Sequence, residues 1–171
     1  MQRVAVVGSS GAGKSTLATA LAGRLGVPCL ELDSVFHQPG WTELDTPSFR
    51  SRVSAFVAGD AWVVDGNYSR VRDLVLTRAD TVVWLRMTRP VVMRQVLWRT
   101  SRRALLREEL WNGNRESLRQ VLSTDPMRSI VVWAWQMHGK YDAEYSALRD
   151  ERWVVLSRRR DVAAFLAGCT A

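Results

Sequence analysis

Short apolar runs alternate with longer amphipathic stretches along this chain. The runs predict five strands, over Arg3–Val7, Pro28–Leu32, Ala61–Val64, Thr81–Leu85 and Trp153–Leu156. The amphipathic stretches predict helices over Lys14–Leu25, Thr46–Ala58, Val71–Thr77, Pro90–Arg103 and Asp161–Ala167, and a long helix from Asp125-Pro126 that extends as far as Leu148. Because strands that alternate with helices form parallel sheets, the pattern predicts one α/β domain over residues 1–171, with a five-stranded parallel sheet and helices on both faces.

A glycine-rich motif lies between the first predicted strand and the first predicted helix. It fits G-x-x-x-x-G-K-[ST] at every fixed position, and strand, turn and helix are the context that a phosphate-binding loop requires. Lys14 is expected to reach the β- and γ-phosphates, and Ser15 is expected to hold Mg²⁺. The motif therefore predicts a P-loop NTPase, a three-layer sandwich that binds ATP and Mg²⁺ through Gly8, Ser9, Ser10, Gly11, Ala12, Gly13, Lys14, Ser15 and Thr16.

Two aspartates follow predicted strands at the edge of the sheet where ligands of parallel α/β proteins bind. Asp65 either orients Mg²⁺ opposite Ser15 or begins an Asp-Gly turn, and the phosphate loop favours the metal. Asp33 either orients an acceptor hydroxyl or begins the loop over residues 34–45. His37 and Trp41 lie in that loop as candidate acceptor contacts. The alternatives are a structural role for the histidine and a core position for the tryptophan.

The net charge of +7 is concentrated in one segment, residues 86–119, which carry nine arginines and three glutamates. Arg99 and Arg103 are four residues apart on a predicted helix and so share a face, where they could clamp a transferring phosphate. The alternative is a solvated arginine face. In either case the excess positive charge indicates an anionic partner, which is the nucleotide or a nucleic acid.

Composition narrows the class of protein. Apolar residues make up 47% of the chain, as in globular proteins, and no apolar run approaches the about 18 residues of a membrane span. Cys29 and Cys169 are far apart in sequence and share no metal-ligand spacing, so they are predicted to be reduced thiols of a cytoplasmic protein.

The phosphate loop and the run Trp62-Val63-Val64-Asp65-Gly66 together resemble the adenylate-kinase-like branch of the P-loop kinases. More narrowly, Leu32-Asp33, Pro39-Gly40-Trp41 and residues 62–69 and 79–85 resemble the small bacterial ATPases or kinases known as topology-modulation proteins. The resemblance implies a central first strand, a short arginine-rich lid over residues 104–116 and a base-binding loop that includes Ser157 and Arg159. After Asp-Gly, adenylate-kinase-like enzymes continue with Phe-Pro-Arg. This chain has Asn67-Tyr68-Ser69-Arg70 instead, which argues against AMP as the acceptor.

The expected activity is transfer of the γ-phosphoryl group from ATP·Mg²⁺ to a nucleotide or a small hydroxyl-bearing acceptor. Lys14, Arg99 and Arg103 would stabilise the migrating group, and Asp33 would orient the acceptor. The remaining candidate acceptor contacts are Gly66, Asn67, Tyr68 and Arg70. A nucleic-acid-associated ATPase or DNA topology-modulating protein is the alternative. The chain is expected to be a monomer or a homodimer without membrane association.

Overall fold

The computed structural model describes residues 1–115 and 129–169. The predicted helix start at Asp125-Pro126, and the last residue of the predicted lid, lie outside the described residues.

Five parallel strands form the central sheet in the order β2-β5-β1-β6-β7. Their bounds are β1 Arg3–Gly8, β2 Cys29–Glu31, β5 Trp62–Asp65, β6 Thr81–Leu85 and β7 Trp153–Leu156. The predicted parallel sheet and its central first strand are therefore confirmed. A separate antiparallel hairpin, which the sequence pattern did not indicate, pairs β3 His37–Gln38 with β4 Thr42–Glu43.

Helices cover both faces of the sheet. In the described part of the chain they are α1 Lys14–Leu25, α2 Leu32–Phe36, α3 Thr46–Val57, α4 Arg72–Arg78, α5 Arg89–Leu106, α6 Ile130–Leu148 and α7 Arg159–Gly168. Asp45, which precedes the first residue of the predicted helix, caps α3, and its carboxylate accepts a hydrogen bond from the backbone N–H of Ser48 at 2.9 Å. None of the described helices combines the length and the apolar character that crossing a bilayer would require.

The alternation of side chains along β1 divides the core into two layers. Val4 and Val6 face the layer that includes α1 and α5, whereas Ala5 and Val7 face the layer that includes α3 and α4. All four side chains are buried. This sandwich holds the carboxyl ends of the strands at one edge, and the phosphate loop leaves the sheet from that edge between two buried layers.

The stretch after β2 differs most from the prediction. Asp33 was expected at the end of a strand, with a loop from Ser34 onwards, but it lies in the one-and-a-half-turn helix α2. Leu32 and Phe36 are four residues apart, and the helical turn directs both side chains into the same buried layer. A helix of five residues is too short for its periodicity to be recognised beside an apolar strand.

Candidate active site

Two glycines allow the phosphate loop to pass close to its neighbours. Gly8 has φ +146°, and a Cβ there would lie 2.6 Å from the carbonyl oxygen of Leu85 on β6. Gly11 has φ +82°, and a Cβ would lie 2.3 Å from Cγ2 of Val96 on α5. Only glycine fits such close backbone approaches at positive φ. As a result, α5 packs directly against the loop and brings its arginines near it.

Lys14 is the first residue of α1, and its ammonium group folds back onto the loop. Nζ donates a hydrogen bond to the carbonyl oxygen of Ser9 at 3.2 Å. Burial lowers the pKa of Lys14, and Arg99 lowers it further, whereas the carboxylates of Asp65, Asp33 and Glu31 oppose the shift. The ammonium group thus interacts electrostatically with Arg99 on α5 and with the three carboxylates. An anion bound in the loop would relieve its unfavourable desolvation.

Three oxygen-bearing side chains meet beside Lys14. The Ser15 hydroxyl hydrogen-bonds to Asp65 Oδ2 at 2.6 Å and approaches Glu31 Oε1 at 3.1 Å. Glu31 and Asp65 are register partners at the ends of β2 and β5, so their side chains leave the sheet on the same side. Glu31 was not recognised in the sequence. It ends an apolar run without a motif of its own, and only the pairing of β2 with β5 places it beside Asp65.

The residues of this cluster fit a divalent metal. Asp65 Oδ1 is buried and has no hydrogen-bond partner among the described residues, whereas Oδ2 accepts the hydrogen bond from Ser15. Hydroxyl and carboxylate oxygens are the protein ligands that Mg²⁺ prefers. No group of three or more His, Cys, Asp or Glu side chains in the described ranges is arranged to hold a metal by itself. Phosphate oxygens of a nucleotide would therefore have to complete the coordination, as in P-loop proteins.

Burial raises the pKa of Asp65 to about 6, although Lys14 and the Ser15 hydroxyl oppose the shift. The folded protein then binds an extra proton between the ordinary value of 3.8 and about 6, so its stability falls as the pH rises through that window. We expect Asp65→Asn to raise the free energy of unfolding of the nucleotide-free protein by up to about 3 kcal/mol at about pH 7 and hardly at all at about pH 4. Urea denaturation at the two pH values measures this difference, and a gain that does not depend on pH would contradict it.

Gly66 and Asn67 connect β5 to the phosphate loop. The side-chain amide of Asn67 accepts a hydrogen bond from the Gly8 N–H at 3.1 Å and donates one to the Gly8 carbonyl oxygen. The backbone N–H of Gly66 donates to Val6 at 3.3 Å. These contacts shape the start of the loop. The predicted contacts of both residues with an acceptor stay predictions.

Asp33, Tyr68 and His37 come together on the other side of Glu31. The Tyr68 hydroxyl donates to Asp33 Oδ1 at 2.6 Å and lies 3.3 Å from Nε2 of His37. Burial, and then the charge of Asp33, raises the pKa of Tyr68, so the phenol stays protonated and acts as a donor. An ionised carboxylate has several acceptor positions, and Asp33 therefore keeps capacity for a further hydroxyl.

Trp41 and Trp111 lie over this group of residues, and the ring of His37 contacts both. The His37 and Trp111 rings stack with centroids 5.9 Å apart, and Trp41 meets His37 edge-on at 5.3 Å. Trp41 has φ +59°, and its backbone N–H donates to Asn114 Oδ1 at 2.8 Å. Trp41 is thus half-buried between the loop and the predicted lid, rather than a residue of either core layer.

Three further residues that were predicted to contact a ligand lie outside the hydrogen-bonded groups described above. Arg70 forms an ion pair with Glu43 at 3.1 Å, and its guanidinium lies 5.1 Å from the centroid of the Phe36 ring. Ser157 follows β7, and Arg159 is the first residue of α7, so the predicted base-binding loop is shorter than expected. Both residues are exposed at the edge of the sheet that carries the phosphate loop.

The arginine-rich segment is partly neutralised by acidic side chains. Arg86 binds Asp142 through two hydrogen bonds of 2.6 and 2.9 Å, Arg102 pairs with Glu108 at 3.0 Å, and Arg115 with Glu109 at 3.5 Å. Arg99 and Arg103 are partly buried on α5, four residues apart. Nucleic-acid binding by this segment stays a prediction.

Comparisons with known proteins identify the fold. The sequence model of a family described as an AAA domain matches residues 4–111. Similar solved structures include a shikimate kinase from Bacteroides thetaiotaomicron, at 15% identity and a TM-score of 0.58 over 97% of this chain and 94% of that one. They also include a shikimate kinase from Acinetobacter baumannii in complex with shikimate, at 17% identity and a TM-score of 0.60 over 98% and 89%. A gluconokinase from Sinorhizobium meliloti 1021 aligns at 19% identity and a TM-score of 0.53 over 97% and 91%. No curated protein matches the sequence. The fold is thus the α/β fold of P-loop kinases such as shikimate kinase.

Proposed function

This chain belongs to the AAA domain family, and we propose that it is an ATP-dependent kinase, because the matched residues, 4–111, include its phosphate loop. It would transfer the γ-phosphoryl group of ATP to a hydroxyl group of a small acceptor. One observation carries the proposal: Ser15 of the phosphate loop hydrogen-bonds to Asp65 at 2.6 Å, and Tyr68, three residues after Asp65, hydrogen-bonds to Asp33 at 2.6 Å. The phosphate loop, a metal-binding carboxylate and a carboxylate suited to an acceptor hydroxyl therefore belong to one site.

The proposed roles follow from the positions of the side chains. The loop N–H groups and the N-terminus of α1 would bind the phosphates of the nucleotide. Lys14 would neutralise charge on the β- and γ-phosphates, and Arg99 would approach the transferring group from α5. Asp33, held by Tyr68, would accept a hydrogen bond from the acceptor hydroxyl and so orient it towards the γ-phosphorus.

Ser15 and Asp65 would hold Mg²⁺, with Glu31 beside them. When bound, the metal ion would offset negative charge that the phosphates develop during transfer. The Asp65 oxygen that has no partner among the described residues supports this role, because the hydroxyl of Ser15 satisfies only the other one.

The proposal also concerns the chemical class of molecule that accepts the phosphoryl group. The comparisons support small-molecule kinases in general, since two of the similar structures are named for shikimate and one is a gluconokinase. The sequence resemblance to adenylate-kinase-like enzymes, and to topology-modulation proteins, adds nucleotides to the acceptors worth testing. The half-buried rings of His37, Trp41 and Trp111 lie next to the Tyr68 hydroxyl that binds Asp33, and this arrangement is compatible with a small hydroxylated acceptor.

The test is a two-stage screen of the purified chain with ATP and Mg²⁺. Shikimate, gluconate, nucleosides, nucleoside monophosphates and polyols are first tested for added thermal stability beyond that given by a non-hydrolysable ATP analogue. Compounds that stabilise the protein are then tested for ADP formation and for the phosphorylated product. We expect ATP consumption to rise strongly with one acceptor class. ATP hydrolysis at the same rate with and without every acceptor would contradict the kinase.

A further inference from the structure

One carboxylate connects the metal-binding side of the site to the predicted lid. Glu31 Oε1 lies 3.1 Å from the Ser15 hydroxyl, and Glu31 Oε2 accepts a hydrogen bond from the indole N–H of Trp111 at 2.8 Å. Trp111 is 80 residues away from Glu31 in the sequence. A residue of the lid is therefore hydrogen-bonded to a side chain that contacts the phosphate-loop serine.

The hydrogen bond of Trp111 is one of several that fasten residues 111–115, which we call the lid segment. The Asn112 amide donates to the carbonyl oxygens of Ser34 at 3.1 Å and His37 at 2.5 Å. The Asn114 amide donates to the carbonyl oxygen of Gln38 at 2.9 Å. Because these bonds attach the lid segment to α2 and to β3, the indole of Trp111 is held in a defined position at Glu31.

We propose that Trp111 is a positioning residue of the metal site and that it acts through Glu31. By holding Oε2, the indole directs Oε1 towards Ser15, where an oxygen can accept a hydrogen bond from a metal-bound water. Attachment of the lid segment through Trp111 and binding of the metal·nucleotide complex then favour each other, since coupling between two binding events is reciprocal. This inference rests on the proposed function, because it assumes that Ser15 and Asp65 hold the metal of ATP.

Trp111 would assist metal binding because it preorganises the carboxylate of Glu31. A glutamate at the end of a strand has rotatable bonds that must be ordered before it can act at the metal, and ordering them costs free energy on binding. A hydrogen bond from a neutral donor to a carboxylate orders the side chain beforehand without cancelling its charge. Trp111→Phe would keep an aromatic ring beside His37 and remove the N–H that reaches Glu31.

The experiment compares Trp111→Phe with wild type and with Trp98→Phe, which changes a tryptophan that is 73% exposed on α5. The dissociation constant of a non-hydrolysable ATP analogue is measured by calorimetry, once with excess Mg²⁺ and once with EDTA. The ratio of the two constants gives the contribution of the metal to nucleotide affinity. We expect Trp111→Phe to lower this contribution by about tenfold, mainly by weakening binding with Mg²⁺, and Trp98→Phe to leave it unchanged.

A double-mutant cycle with Glu31→Ala separates action through Glu31 from simple packing. In the Glu31→Ala background, Trp111→Phe should have no further effect on the ratio. The proposal is overturned if Trp111→Phe keeps the wild-type ratio, if it weakens binding equally with Mg²⁺ and with EDTA, or if its effect persists without Glu31. Failure of the proposed function looks different, because no acceptor would then raise ATP consumption by the wild-type chain, whatever the ratio of the two dissociation constants.

Discussion

Replacing Lys14 by alanine is expected to abolish phosphoryl transfer, with kcat lower by about a thousandfold or more. Lys14 begins α1 inside the phosphate loop, and its ammonium group donates a hydrogen bond to the Ser9 carbonyl oxygen and interacts with the charges of Asp65 and Asp33. Alanine would leave the charge that develops on the transferring phosphoryl group without its nearest cation. The rate is measured as ADP and product formation with the acceptor that the screen identifies.

The fold should survive this substitution. Burial lowers the pKa of Lys14 in the folded protein, so the charged ammonium group disfavours folding at neutral pH, and its removal is not expected to lower the free energy of unfolding. Lys140→Ala is the matched control, because Lys140 is the only other lysine and is exposed on α6. Full activity in Lys14→Ala, or an equal loss in Lys140→Ala, would contradict the assigned role.

The five strands of the sheet could be predicted because each is an apolar run that ends at a turn or at a polar residue, and the family resemblance implied that the first strand is central. The residue spacing of the phosphate-loop motif corresponds to a known backbone geometry, so the positions of Lys14 and Ser15 were also predictable. The short helix α2 was not, because Leu32 and Phe36 form only one apolar pair. Its presence moves Asp33 from a strand end onto a helix and turns the carboxylate towards Tyr68.

The parts of the site that sequence reasoning missed depend on contacts between distant segments. Glu31 lies in the candidate site because it is the register partner of Asp65 on β5, and no local sequence pattern reveals this pairing. Trp111 and Asn114 lie in a polar stretch of the predicted lid, and their partners on the other side are more than 70 residues earlier. Side-chain hydrogen bonds of this kind have no periodicity, and the sequence contains no motif that marks them.

A four-residue segment that begins with the last residue of β5 holds the candidate site together. Asp65 accepts a hydrogen bond from Ser15, Asn67 pairs with the backbone of Gly8, and Tyr68 donates to Asp33. The proposed metal ligand, the phosphate loop and the proposed acceptor carboxylate are thus all hydrogen-bonded to, or part of, one short segment. The sequence resemblance singled out this segment for its contact with an acceptor, whereas its hydrogen bonds in the fold also order the other parts of the site.

The second large effect is expected from Asp33→Asn, which should lower kcat by about a hundredfold or more while the affinity for ATP·Mg²⁺ stays near that of wild type. The asparagine side chain would still accept the hydrogen bond from Tyr68 through its amide oxygen, so the geometry of the site is kept. It would lack the negative charge that orients an acceptor hydroxyl and receives its proton as the phosphoryl group moves. Single-turnover kinetics give the rate of the transfer step, steady-state kinetics give kcat, and calorimetry with the ATP analogue gives the affinity.

Two further variants make this test specific. Asp60→Asn changes an exposed aspartate in the turn between α3 and β5, and it should leave kcat unchanged. Tyr68→Phe keeps the charge of Asp33 but removes the hydroxyl that holds it, so its loss should be smaller, about tenfold, as expected for one hydrogen bond to a charged group. If Asp33→Asn turned over at the wild-type rate, or if nucleotide affinity fell in step with kcat, Asp33 would not be the group that orients the acceptor. His37 would then be the next candidate for this role, because its Nε2 lies 3.3 Å from the same tyrosine hydroxyl.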